Sequence, residues 1–264
     1  MSRPLLLPAV NLLTLGAVIA LNGLAASGAL SGDSIGALAN RHASRFLPAN
    51  RVFGIWSLIY LGLVTCAVYQ WLPLEGARRA VDRLGGWWLV TGLLNIAWIT
   101  LFSFRLFGAA LLVMLAFLGA LIVTTERLRT PGLPPAWHER LAVRWPFDLY
   151  LAWISVALIS NTFQYAHVVG FGGFGIDETT WSIALMIAAS LLGIVMAWSR
   201  DMWLFPLVVA WAIHGIGTRH ADVPALAEAA RFVVPAGVLL GVVAWGAGRV
   251  RARSGVGGRT AVGR

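Results

Sequence analysis

The chain alternates long apolar runs with short polar breaks. A helix that crosses a bilayer needs about 20 apolar residues, and eight stretches meet or approach that length: 8–30, 52–72, 87–104, 106–125, 145–167, 179–198, 202–216 and 226–246. The third and fourth are separated only by Arg105 and its neighbours, so they form a tight helical hairpin; the seventh is short. The pattern predicts an all-α, polytopic membrane bundle of about eight transmembrane helices. The first run follows Arg3 and ends in small residues, as a secretory signal does. It is longer than a usual signal core and carries Asn11 and Asn22, which favours a retained helix.

Composition supports the same class. The 264 residues are 59% hydrophobic and 12% charged, with mean hydropathy +0.78, whereas soluble domains are about a quarter charged. The net charge of +9 comes from a basic set made only of arginine. In a membrane protein, such an excess sets orientation rather than nucleic-acid binding, so no nucleic-acid partner is expected. Eight spans sort the arginines into 14 on one side (Arg3, Arg78, Arg79, Arg83, Arg127, Arg129, Arg140, Arg144, Arg200, Arg249, Arg251, Arg253, Arg259, Arg264) and six on the other (Arg41, Arg45, Arg51, Arg105, Arg219, Arg231). The positive-inside rule assigns the first set, and both termini, to the cytoplasm. Residues 31–51 and 172–179 then lie outside. The arginine- and glycine-rich segment 247–264 reads as a disordered tail. The single cysteine, Cys66, sits in an apolar run, which leaves no intrachain disulfide and no cysteine-based metal site.

Thirteen tryptophans sharpen the picture. Trp71, Trp87, Trp88, Trp137, Trp145, Trp198, Trp203 and Trp245 fall near the inner boundary and Trp181 near the outer one, the places of an interfacial aromatic belt. Trp56, Trp98, Trp153 and Trp211 lie deeper. Three apolar runs carry aromatic and amide groups on one face. Phe53, Trp56 and Tyr60 are spaced i, i+3, i+7 on the second span, and Asn95, Trp98 and Phe102 repeat this on the third. On the fifth, Tyr150, Trp153, Ala157, Asn161 and Gln164 advance by three or four. A carboxamide in hydrocarbon is costly unless partnered, so Asn95 and Asn161 are expected to face the bundle interior. All three sets fall in the outer half of their spans. They can converge on an apolar small-molecule pocket, or serve as interhelical packing and hydrogen bonding.

The stretches "LPANRVFGIWSLIYLGL" (47–63), "LLNIAWITLF" (93–102) and "YLAWISVALISN" (150–161) resemble the tryptophan-rich sensory protein, or TspO/translocator, family. The resemblance covers residues 1–168. It implies a five-helix core whose pocket is roofed by the loop between the first two helices, a porphyrin or haem ligand, and sensing or transport as the role. On matching positions it implies that Phe53, Trp56, Tyr60, Asn95, Trp98, Phe102, Trp153, Ala157 and Asn161 line or support the pocket. Porphyrin propionates would meet Arg45 or Arg51. The chain departs from the family pattern in having Pro48 alone where two prolines are common, a shortened "FGIW", and no proline before Tyr150. It looks like a longer bacterial form, placed in the inner membrane, with a three-helix extension over 169–246.

Other polar groups have plainer readings. His214, three residues after Trp211, is a ligand to haem iron, a proton relay or a hydrogen-bonded structural histidine, and the last is favoured because no second ligand is spaced with it. His167 ends the fifth span within reach of the pocket, as a candidate axial ligand. Asp148 reads as a helix N-terminal acid. Gly237 and Gly241 form a small-xxx-small pair that suits close helix packing or a homodimer. No Ser/His/Asp set, phosphate loop or catalytic carboxylate pair is present. The expectation is a binding protein that requires no cofactor, whose partners are membrane lipid and a hydrophobic small molecule. A secondary transporter and a porphyrin-modifying enzyme are the alternatives.

Overall fold

A computed structural model describes residues 5–129 and 135–257, with side chains through Arg251. Among them the ordered elements are helices: α1 Leu6–Ser27, α2 Ile35–Arg41, α3 Ile55–Tyr69, α4 Glu75–Leu84, α5 Trp87–Ser103, α6 Phe107–Leu128, α7 Trp137–Glu139, α8 Trp145–Val168, α9 Glu178–Arg200, α10 Leu204–Arg219 and α11 Pro224–Gly257. Six helical stretches are long and apolar enough to cross a membrane, or seven if the bent pair α4–α5 counts as one span; α10 is a shorter apolar helix. Every predicted apolar run is therefore helical, and the chain is an all-α membrane bundle. Its outward surface is apolar: Leu13, Leu112, Phe232 and Leu239 are each more than 60% exposed and suit acyl chains.

The breaks obey local chemistry. The α1 helix ends at Gly28, whose φ of 83° is accessible to glycine at little cost, and its N–H donates to the Ala25 carbonyl. Ser34 caps α2 by accepting from the Ala37 N–H, and Asp177 caps α9 by accepting from the Thr180 N–H. The hairpin between α5 and α6 turns at Arg105, a residue with φ 64°. The tail expectation is corrected: α11 continues to Gly257. The guanidiniums of Arg249 and Arg251 lie 5.0 and 5.5 Å from the ring centroids of Trp245 and Trp198. These cation–π contacts anchor a segment whose composition suggests disorder. Residues 258–264 lie outside the described residues.

Packing joins the two parts of the chain. The α5 helix lies between α1 and α6, α6 packs on α8, and α3 packs on α8 and α1. The α9, α10 and α11 helices pack on one another, and α10 also packs along α8. One contiguous core includes Trp153 of α8 together with Met186, Phe205 and Ile213 of the last three helices. Small residues permit the approaches. A Cβ added at Gly92 would overlap Thr14 Cγ2 where α5 crosses α1. Gly237 and Gly241 serve inside the chain: a Cβ at either would lie 3.5 Å from Ser190 or 2.7 Å from Pro206. The pair thus packs α11 onto α9 and α10.

Three short helices, α2, α4 and the three-residue α7, were not visible as separate elements. The α2 helix sits in the predicted 31–51 loop and crosses one end of the bundle. The amphipathic α4 precedes α5 at a bend of 57° and carries Arg78, Arg79 and Arg83.

Candidate functional site: an aromatic cavity under a short roof helix

A cavity of about 500 Å³ opens among α1, α3, α5 and α8 beneath α2. Its walls follow from helical spacing. Phe53 precedes α3 in a 3₁₀ turn, Asn50–Gly54, and is joined by Trp56 and Tyr60 of α3. Trp98 and Phe102 come from α5, and Trp153, Ala157 and Asn161 from α8. These eight expected residues all line the cavity.

The rings form a connected array. Trp56 stacks against Trp98 with centroids 6.0 Å apart and planes 22° apart, and against Tyr60 at 5.6 Å with the same tilt. Trp153 meets Trp56 edge-on at 6.3 Å and Phe53 edge-on at 6.1 Å. Offset-stacked and edge-to-face pairs are the favoured arrangements of aromatic quadrupoles. The array therefore holds one another's rings upright around the space.

The ninth expected residue, Asn95, does not reach the wall. It is fully buried behind Trp98. Its Nδ2 donates to the Tyr150 hydroxyl at 2.7 Å, and its Oδ1 accepts from Asn22 Nδ2 at 2.7 Å. One amide thereby ties α5 to both α8 and α1. At the wall itself, Trp98 Nε1 donates to Asn161 Oδ1 at 3.3 Å, and Asn161 Nδ2 donates to the Ala157 carbonyl at 2.9 Å. Asn161 thus locks the Trp98 indole against α8. The Trp153 indole N–H is buried with no partner.

Sequence reasoning missed the α1 wall, and it expected the roof as a loop without its helix or lining residues. Asn22, Gly23 and Ala26 line one side, and Ile35, Gly36 and Ala39 of α2 close the top. A signal for α1 was available: Asn11, Thr14 and Asn22 fall at i, i+3 and i+11, one stripe of a helix.

The roof is fastened by polar contacts. Asp33 accepts from Arg41 at 2.6 Å and also pairs with Arg105 of the α5–α6 turn. Asn40 Nδ2 donates to Asn50 Oδ1 at 3.0 Å. The loop after α2 is held by α9 and α10. The Ala49 N–H donates to the Gly215 carbonyl at 3.1 Å, and Trp211 Nε1 donates to the Val52 carbonyl at 3.3 Å. This is the structural use of the fourth deep tryptophan. The Arg45 N–H donates to Glu178 Oε1, which also lies 3.1 Å from His167 Nε2.

Three expectations change accordingly. Arg51 turns toward α10, donating to Thr218 Oγ1 at 3.1 Å beside His214 Nε2, and neither Arg45 nor Arg51 lines the cavity. His167 and His214 are engaged elsewhere and do not line it either. Trp88 is not a belt residue: it is 3% exposed, and its indole donates to the Asn11 carbonyl at 2.9 Å. Among the described residues, no three His, Cys, Asp or Glu side chains are grouped to hold a metal ion.

A polytopic helical membrane protein enclosing an aromatic, largely uncharged cavity is the class these features define. A family model described as "TSPO-like protein" matches residues 8–245, and the chain belongs to that family. The match runs through the last three helices as well as the first five. No curated protein and no solved structure matches the chain.

Proposed function

We propose that this membrane protein binds a flat, apolar ring system, of the tetrapyrrole class or similar, in the cavity beneath α2, and acts in its sensing or transport. The observation that carries this reading is the wall: Trp56, Trp98, Tyr60 and Trp153 ring a space of about 500 Å³. That volume lies within the range for small-molecule pockets, about 300–1,000 Å³. Binding rests on stacking and shape, while Asn22, Asn161 and Gln164 offer a few polar contacts for orientation. Carboxylates inside a cavity without a cationic side chain would be costly, so the propionates of a porphyrin stay at the mouth. The absence of histidine from the wall favours a macrocycle held by its faces over one held by an axial bond. The arginine asymmetry supports an orientation with both termini in the cytoplasm and the cavity in the outer half of the membrane.

The test is a titration of purified protein with protoporphyrin, read by tryptophan quenching. Wild type gives saturable quenching. Ala157→Phe, which fills the space between α8 and the α3 rings, abolishes it, and Trp98→Phe weakens it about tenfold by removing an indole face and its bond to Asn161. Unchanged binding in both, with unchanged thermal stability, would return these residues to core packing.

A further inference from the structure

At the opposite end of the bundle, the segment leading into α8 carries an arginine excess that its own carboxylates do not neutralise. Arg140–Arg144 forms a π-helical turn, an uncommon geometry that recurs at functional sites. Arg140 and Arg144 stand about one turn apart in it, both half-buried, and the Nε of each is buried without a partner. Among the described residues, neither makes an ion pair.

The neighbouring charges are already arranged. Glu139, 3% exposed, takes Arg79 at 2.8 Å and lies 3.9 Å from Arg83. Asp148, 2% exposed, takes Arg129 at 2.5 Å. Asp201, near Asp148, accepts from the Trp245 indole at 2.6 Å. Arg129, Arg140 and Arg83 lie within electrostatic range of Arg144, with Asp148 as the one carboxylate acting on it among them. Glu75 acts on Arg79 and lies 3.9 Å from Arg78, and Arg200 and Glu126 pair with each other, so these carboxylates are engaged away from Arg140 and Arg144. The connecting residues 130–134 contain no acidic side chain. Beside the turn, Trp137 is 75% exposed, Leu141 47% and Trp71 41%. These apolar groups stand at the level where aromatic residues meet lipid headgroups.

We propose that the Arg140–Arg144 turn binds the phosphate of an anionic phospholipid headgroup, whose acyl chains lie along Trp137 and Leu141, while Arg83 and Arg129, already engaged with protein acceptors, add positive potential beside it. A basic recess between spanning helices at the interface suits a lipid phosphate, and guanidiniums can take its oxygens in pairs. The exposed apolar neighbours favour a lipid over a free anion. This inference is independent of the ligand in the aromatic cavity.

The test reconstitutes the full chain in phosphatidylcholine nanodiscs with or without phosphatidylglycerol and follows thermal unfolding by tryptophan fluorescence. Wild type gains stability from phosphatidylglycerol. Arg140→Gln/Arg144→Gln loses that gain, with lipid retention in native mass spectrometry at least roughly tenfold weaker. Arg249→Gln/Arg251→Gln, which removes the same charge from the end of α11, keeps it. No gain in wild type, or an equal gain in the Arg140/Arg144 variant, overturns the site. An equal gain from inorganic phosphate in phosphatidylcholine alone assigns the turn to a free anion and overturns the lipid reading. If the double variant does not fold, wild type in mixed micelles decides: a retained phosphatidylglycerol supports the site, and none retained overturns it.

Discussion

Replacing Gly215 with alanine should loosen ligand binding from a helix that does not line the cavity. Gly215 lies on α10, where the roof loop crosses it. An added Cβ would overlap Val52 Cγ2 and lie 3.1 Å from Pro48 Cβ. Val52 is fully buried and β-branched, so its χ1 has little freedom to yield. The loop must move instead, stretching the bonds from the Ala49 N–H to the Gly215 carbonyl and from Trp211 to the Val52 carbonyl. Overpacking of this kind costs about 1–3 kcal/mol. Alanine regains about 1 kcal/mol over glycine as a helix former, so the net loss of stability is about 0–2 kcal/mol. Pro48, Asn50 and Phe53 of the displaced segment line the cavity. If a similar share of the strain is expressed at the site, protoporphyrin affinity falls about tenfold. Gly217→Ala is the control: its Cβ would crowd Ala230 of α11 and touch nothing in the roof. The assay is quenching titration beside thermal unfolding for both variants. Equal affinities in Gly215→Ala and Gly217→Ala, at comparable melting temperatures, would refute the claim that α10 positions the roof.

Two further perturbations address the frame of the site. Asn95→Leu leaves the buried Tyr150 hydroxyl without its partner, at about 1–3 kcal/mol for an unsatisfied buried group, while Asn22, partly exposed at the cavity, keeps its bond to the Val18 carbonyl. Thermal unfolding should drop markedly, while the indoles at the wall remain in place in the protein that folds. Outside the spans, His220 titrates below the ordinary histidine range because it is buried, with repulsion from Arg45 and Arg219 acting in the same direction; Asp222 and a hydrogen bond involving Ser44 oppose this. The unfolded chain then binds more protons than the native one as pH falls below about 6.5, so stability drops on acidification from that point. Melting temperature against pH should show this decline, and His220→Asn should flatten it.

The fold was legible because lipid simplifies the code. A backbone in hydrocarbon must satisfy its own polar groups, so long apolar runs become helices with few alternatives. The eight runs and the hairpin at Arg105 follow from that constraint alone. What escaped is amphipathic or short. The α4 helix is polar on the face that carries Arg78, Arg79 and Arg83, and α2 spans seven residues inside a loop, marked only by Ser34 as its cap. Helical period placed Trp56, Trp98, Trp153, Ala157 and Asn161 on common faces, and those faces do meet. Period gives the face but not the neighbour, which is why Asn95 fell one layer behind the wall. The contact of Gly215 with the roof joins residues more than 160 positions apart and had no local signal.

The central claim, that the array of Trp56, Trp98 and Trp153 is where a flat ligand sits, is tested most directly by using the ligand as its own marker. Protoporphyrin bound at substoichiometric load is illuminated briefly, and oxidised tryptophans are mapped by mass spectrometry. The structure predicts modification concentrated at Trp56, Trp98 and Trp153, and its loss in Ala157→Phe. Oxidation confined to exposed indoles such as Trp137 and Trp71, unchanged in that variant, would contradict the claim.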